Sequence, residues 1–191
     1  MKKIKKFHNF SKNQVLENLI SIQLKELQKN NVDIKHQKIV DEFNPNNIYD
    51  VYWGRNKESN HFLTSKFCGT NANPIGGVYP SEKDIWLHAA GFPGSHVLVK
   101  ALKDDIIPEF VLKRAAEIAK KNSKAKSQSN TPIVWCYSKN VSTTPNQEIL
   151  TKIRELSNKS LNDEDVDFIE SNKPATGRAF IDTINRNIIY I

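Results

Sequence analysis

Cysteine is scarce in this sequence. Cys68 and Cys136 are the only two, far apart and in no metal-ligand spacing. A disulfide framework is therefore not indicated, and a reducing cytoplasm is the expected setting. Long apolar runs are missing as well. The longest, Ile133-Val-Trp-Cys-Tyr137, is far short of the roughly 20 residues that cross a bilayer, so no membrane partner is expected. The basic start Met1-Lys-Lys-Ile-Lys-Lys6 is followed by the polar Phe7-His-Asn-Phe-Ser-Lys12 instead of an apolar core, which argues against export. There is no internal repeat. There is no Gly-x-x-x-x-Gly-Lys-Ser/Thr loop to cradle a phosphate and no Gly-x-Ser-x-Gly elbow to raise a nucleophile. Gly91-Phe-Pro-Gly94 is too short and too proline-interrupted for a dinucleotide loop. Neither cofactor nor catalysis is expected.

What is present is positive charge. Twenty-eight Lys and Arg stand against 21 Asp and Glu, a formal net charge of +7 in 191 residues, which suits a polyanionic partner but says nothing about fold. Its distribution is uneven. Between Lys113 and Lys139 seven basic residues face Glu117 alone, a net of +6, whereas between Glu155 and Glu170 six acids face Lys159, a net of −5.

The organising stretch is Asp84 to Lys100. Ile85 and Leu87 alternate with Asp84, Trp86 and His88, the two-residue period of a strand. Gly91, Pro93 and Gly94 stop it, and His96 to Leu102 reads as the returning strand. Ser95 and His96 invite a nucleophile reading, but neighbours on a strand point to opposite faces and cannot pair. His88 and His96 can face each other across the hairpin, yet no acid or cysteine is placed to complete a site, and no metal is expected. Trp86 can stack on a base; packing under the hairpin is the preferred reading.

Two carboxylates, Asp104 and Asp105, and then Pro108 lead into a helix running to about Lys124. Val111, Ala115, Ile118 and Ala119 form its buried stripe. Lys113, Lys120 and Lys124, with Lys121 beside them, fall on the other side, a row that matches phosphates along a nucleic-acid backbone. The plainer reading is a solvated face on which Glu117 pairs with Lys113 or Lys121.

At the other end, residues 1–10 read as a basic arm. Ser11-x-x-Gln14 is a capping box for a helix with Leu16, Ile20, Leu24 and Leu27 on one face, widened by Val15, Leu19 and Ile22. Packing on its own domain is preferred; the other reading is a homodimer through this helix. A short strand within 32–40, a strand from Ile48 to Trp53, and a short helix capped by Ser59 or Asn60 follow. Beyond the Ile133 strand, Asn146–Ser157 and Asn162–Ser171 read as two helices, and Ala179–Ile184 with Asn187–Ile191 as a hairpin about Asn185-Arg186.

Asp84-Ile-Trp-Leu-His88 followed by Pro93-Gly-Ser-His-Val97 resembles the hallmark of the NFACT RNA-binding domain, a module of NFACT proteins in ribosome-associated quality control. Gly54-Arg-Asn-Lys-Glu-Ser-Asn60 with Leu63-Thr64 and Lys66 resembles its strand-turn-helix entry. Ala115–Ala119 with Asn122–Ala125 resembles its helix, Ile133–Val141 its next strand, and Lys173–Ile191 its closing hairpin. The likeness spans 48–141 and 173–191. The chain has no room for the family's large N-terminal domain or long coiled coil, so the activities of those parts do not transfer.

The expectation is an α+β fold: one domain, a mostly antiparallel sheet packed by helices, with a basic arm and helix over 1–47, the RNA-binding domain over 48–191 and a helical insertion over 145–172. The expected function is non-catalytic binding of tRNA or ribosomal RNA, with the ribosome as a further partner. Arg55, Asn56, His88, Ser95, His96 and Lys100 join Lys113, Lys120, Lys121 and Lys124 in one continuous basic surface, and Asp84, Trp86, Pro93 and Gly94 form its motif. A protein-interaction adaptor and a DNA-binding module are the alternatives.

Overall fold

The computed structural model describes residues 12–29, 32–103, 105–158, 160–181 and 183–191. The basic arm 1–10 and the Ser11 cap lie outside them. The core is a six-stranded antiparallel sheet built from β1 (Ile34–Val40), β2 (Ile48–Gly54), β3 (Ile85–Ala89), β4 (Val97–Val99), β5 (Pro132–Tyr137) and β8 (Asn187–Tyr190), in the order β1-β2-β4-β3-β5-β8. The expected α+β class with a mostly antiparallel sheet is the one observed.

Helices cover both faces, which is why the central strands are apolar on both sides. On one face α3 (Glu109–Lys121) lays Val111, Ala115, Ala116 and Ala119 against Val51, Ile85, Leu87, Val97, Val99 and Ile133. The alanines let helix and sheet approach closely, and Ile118 packs at their edge. On the other face Tyr52, Trp86, Leu98 and Cys136 meet α1 (Lys12–Lys29), through Ile20 and Leu27, and α2 (Lys57–Phe67), through Leu63 and Phe67. The Gln23 side chain also accepts a hydrogen bond from the Gly76 N–H. The first helix thus packs on its own domain, while Val15, Leu19 and Ile22 face solvent. Strand β1 pairs with β2 along its whole length, from Ile34↔Gly54 to Val40↔Ile48, so the sheet crosses the boundary expected between residues 47 and 48.

The 145–172 segment forms α4 (Gln147–Leu156) and α5 (Asp163–Asn172), capped by Asn146 and Asn162 as their sequence implies, and neither contains a buried residue. Three expectations are corrected. The cap of α2 is Asn56, whose Oδ1 accepts from Ser59 N–H at 2.7 Å and from the Ser59 hydroxyl at 2.6 Å; Ser59 and Asn60 lie inside the helix. The returning strand β4 is shorter than His96–Leu102. The closing hairpin does not form. The strand β7 (Phe180–Ile181) pairs with β6 (Val141–Ser142) in a separate ribbon, a short helical turn at Thr183–Asn185 redirects the chain, and β8 pairs with β5 instead. The edge of β5 offers a row of open hydrogen bonds that Asn187–Tyr190 completes, which a two-residue hairpin would have left unpaired.

Candidate nucleic-acid interface

The β3–β4 connection is positioned by its neighbours on both sides. Gly91 adopts φ +76°, closed to most side chains, and turns the chain out of β3. Ser95 N–H donates to the Asn122 carbonyl at 3.0 Å, and Lys124 N–H to the Pro93 carbonyl at 2.9 Å. From the other side Asn60 Nδ2 donates to the Gly94 carbonyl at 2.9 Å, and Asn60 Oδ1 accepts from His96 N–H at 2.9 Å. A Cβ on Gly94 would stand 2.6 Å from Ser123 Cβ. The Asn60 side chain on one side and backbone hydrogen bonds on the other therefore clamp the loop between α2 and the end of α3.

Under the loop lies a cluster of rings. His96 is 3% exposed, and its Nδ1 is 2.7 Å from Thr64 Oγ1, which also accepts from Trp86 Nε1 at 3.3 Å. The His88 and His96 rings are 5.3 Å apart and perpendicular, and Trp86 lies 4.9 Å from His96 and 5.9 Å from His88. Desolvation pushes the His96 imidazole down to about 3, with the neighbouring His88 adding to the shift, and burial lowers His88 as well. Both rings are neutral at neutral pH. They offer hydrogen bonds and no charge.

An open cavity of about 820 Å³ stands over this cluster. Arg55, Asn56 and Lys57 form one wall, the 91–95 loop another, and residues 175–178 a third, with His88 and His96 at the floor and Asn122 at the edge. The third wall is held in two ways. Gly177, at φ +81°, leaves no room for a side chain, since a Cβ would stand 2.8 Å from Lys57 Cβ. Arg178 Nη1 donates to the carbonyls of Glu170, Ser171 and Lys173 at 2.9, 3.2 and 2.7 Å, closing the C-terminal end of α5. The cavity thus has a cationic rim of Arg55, Lys57 and Arg178 and an uncharged floor.

The structure brings Arg55, Asn56, His88, Pro93, Gly94, Ser95 and His96 together around this cavity. Asn56 also serves as helix cap, and Arg55 stands 3.8 Å from Asp33 at the surface. Lys121 and Lys124 are exposed at the clamped end of α3, and neither takes part in an ion pair among the described residues. Lys113 sits two turns away and pairs with Glu109 at 2.7 Å, instead of with Glu117. Lys120 Nζ donates to the Ile191 carbonyl at 2.8 Å.

Two of the expected contact residues, Lys100 and Ser95, have their side-chain polar groups engaged inside the protein. Lys100 is 2% exposed and bonded to the fully buried Asp84. That carboxylate also accepts from Ala101 N–H at 2.8 Å and from Ser81 N–H at 3.0 Å. The motif aspartate and its lysine hold the strand ends together, because the Lys100 ammonium, buried just past the end of β4, is paired inside the protein. Ser95 gives its hydroxyl to the Gly54 carbonyl and is likewise buried. Trp86, as preferred from the sequence, is core. Lys57, Asn60, Thr64, Asn122 and Arg178 were not anticipated. The Asn56-x-x-Ser59 cap would have placed Lys57 at a helix start. Nothing local marks Arg178, which reaches the cavity only through the path of the 173–181 segment. Among the described residues no group of three or more His, Cys, Asp or Glu is placed to hold a metal, and no helix is long and apolar enough to cross a membrane.

Fold and site together define a two-sided antiparallel α+β module with a cation-rimmed cavity beside a basic helix end. The chain belongs to the NFACT protein RNA binding domain family, whose model matches residues 40–152. It is 29% identical over 98 residues to the Rqc2 homolog RqcH of Bacillus subtilis, a match covering 51% of this chain and 15% of that protein. The chain therefore corresponds to a small part of that relative's length. It is also similar to the C-terminal part of the fibronectin/fibrinogen-binding protein of Streptococcus suis, with a TM-score of 0.47 and 18% identity over 82% of this chain and 45% of that one.

Proposed function

We propose that this chain binds tRNA or ribosomal RNA without catalysis, through a surface joining the cavity rim to the C-terminal end of α3, and that it acts in the cytoplasm in ribosome-associated quality control. The observation that carries the reading is the clamp: backbone hydrogen bonds fix Asn122–Lys124 against Pro93–Ser95, so Lys121 and Lys124 lie beside the cavity that Arg55, Lys57 and Arg178 rim. Membership of an RNA-binding family and likeness to RqcH support the same reading. Among the described residues no carboxylate of α4 or α5 forms an ion pair with a lysine of α3.

Sequence-tolerant RNA binding draws most of its affinity from phosphates. A gel shift with tRNA and with a ribosomal RNA fragment of equal length, repeated over a salt series, tests the proposal. Affinity falls steeply with salt, and reversing Arg55, Lys121 and Lys124 to Glu abolishes the shift at physiological salt. Unchanged affinity in that variant contradicts the proposal. A protein partner recovered from nuclease-treated lysate, with no RNA bound by the purified chain, would favour an adaptor.

A further inference from the structure

We infer that the cavity between α2, the 91–95 loop and the 175–178 segment takes a single unpaired nucleotide, so that the chain prefers RNA with a splayed-out or single-stranded residue over a continuous duplex. This rests on the RNA-binding reading above and names the feature of the RNA that the site selects.

The shape supports it first. A volume of about 820 Å³ lies within the roughly 300–1,000 Å³ of pockets that enclose small ligands. A duplex presents a convex, shallow minor groove and cannot enter such a recess, whereas an unstacked base can. The polarity supports it independently. A groove that only tracks phosphates needs cations along its floor. Here the floor is the neutral His88–His96 pair, and the charges of Arg55, Lys57 and Arg178 stand on the walls above it. A nucleotide has the matching division, with an uncharged base and ribose at one end and an anionic phosphate at the other. Phe92, half-buried in the loop that forms one wall, packs in part on the core under α3 and leaves its remaining surface to the cavity, where stacking would accept any base. The site is also preformed: Gly91, Gly94 and Gly177 are held by turn conformation or close contact, and Asn60 bonds the loop on two sides. A preformed recess binds at a lower ordering cost than a loop that must be organised.

The test uses the full chain and fluorescence anisotropy with two probes, a short single-stranded oligoribonucleotide and a blunt RNA duplex without unpaired residues. The single strand is expected to bind about tenfold or more tightly than the duplex, the range a stacked and enclosed base confers. Asn122→Trp sets a large side chain at the cavity edge and leaves every cation in place, giving up the Asn122 Nδ2 hydrogen bond to the Ile118 carbonyl; it is expected to bring single-strand affinity down to that for the duplex. Phe92→Ala, a smaller change, is expected to weaken single-strand binding about fivefold or more. Equal affinity for the two probes in the wild type, or a preference that survives Asn122→Trp, overturns the inference and leaves RNA binding intact. Failure to bind either probe overturns the RNA-binding reading and this inference with it.

Discussion

At the scale of single residues, burial decides what each polar group of the motif does. Asp84 and Lys100 are 0% and 2% exposed, so their charges are affordable only as a pair, completed by the N–H groups of Ser81 and Ala101. Lys100→Met strands a buried carboxylate and is expected to cost about 3–5 kcal/mol of stability, read by urea unfolding. The double variant with Asp84→Asn recovers part of the loss, and the folded protein keeps its RNA affinity. His96 gives a second residue-level prediction. Its folded state resists protonation down to about 3, against 6.5 for an exposed imidazole. Between these pH values the unfolded chain binds more protons. Stability therefore falls as pH drops from 6.5 toward about 3, by up to about 1.4 kcal/mol per pH unit, and His88 acts in the same direction. Above pH 6.5 neither ring contributes to the slope. Comparing unfolding of the wild type and His96→Gln across this range isolates the effect; parallel profiles would count against a buried neutral His96.

At the scale of elements, the site depends on α3 ending against the β3–β4 loop. Gly94→Ala places a methyl 2.6 Å from Ser123 Cβ, and overpacking of this kind costs about 1–3 kcal/mol. Ser123→Gly in the same chain is expected to restore part of that stability, a coupling that a thermal-denaturation double-mutant cycle would register. The elements themselves were largely readable. The two-residue period of Ile85 to His88, the 3.6-residue stripe of Val111, Ala115 and Ala119, and the asparagines before α4 and α5 are local signals, and each element formed where they stand. What could not be read is what depends on long-range pairing. Asn187–Tyr190 has the composition of a hairpin arm, but β5 competes for it and wins. Lys100 looks like any lysine on a strand until the fold buries it beside Asp84. Arg178 becomes part of the cavity because the 175–178 segment packs on α2, more than a hundred residues earlier in the chain.

For the whole molecule, charge is divided by position. The clamped end of α3 and the cavity rim are cationic, the rings beneath are neutral, and the acidic α5 is joined to the cavity wall by Arg178, which caps it. RNA seated on this surface should depend on cations near the clamp and not on the remote or engaged ones. The most direct measurement is the salt dependence of RNA affinity in two variants, Arg55→Ala with Lys121→Ala and Lys124→Ala, and Lys113→Ala with Lys120→Ala. Each phosphate contact contributes about 0.7–0.9 to the slope of log affinity against log salt. The triple variant is predicted to lower that slope by about 2–3, with the double variant close to wild type. A double variant that loses as much slope as the triple, or a triple variant that loses none, would contradict binding at the clamp.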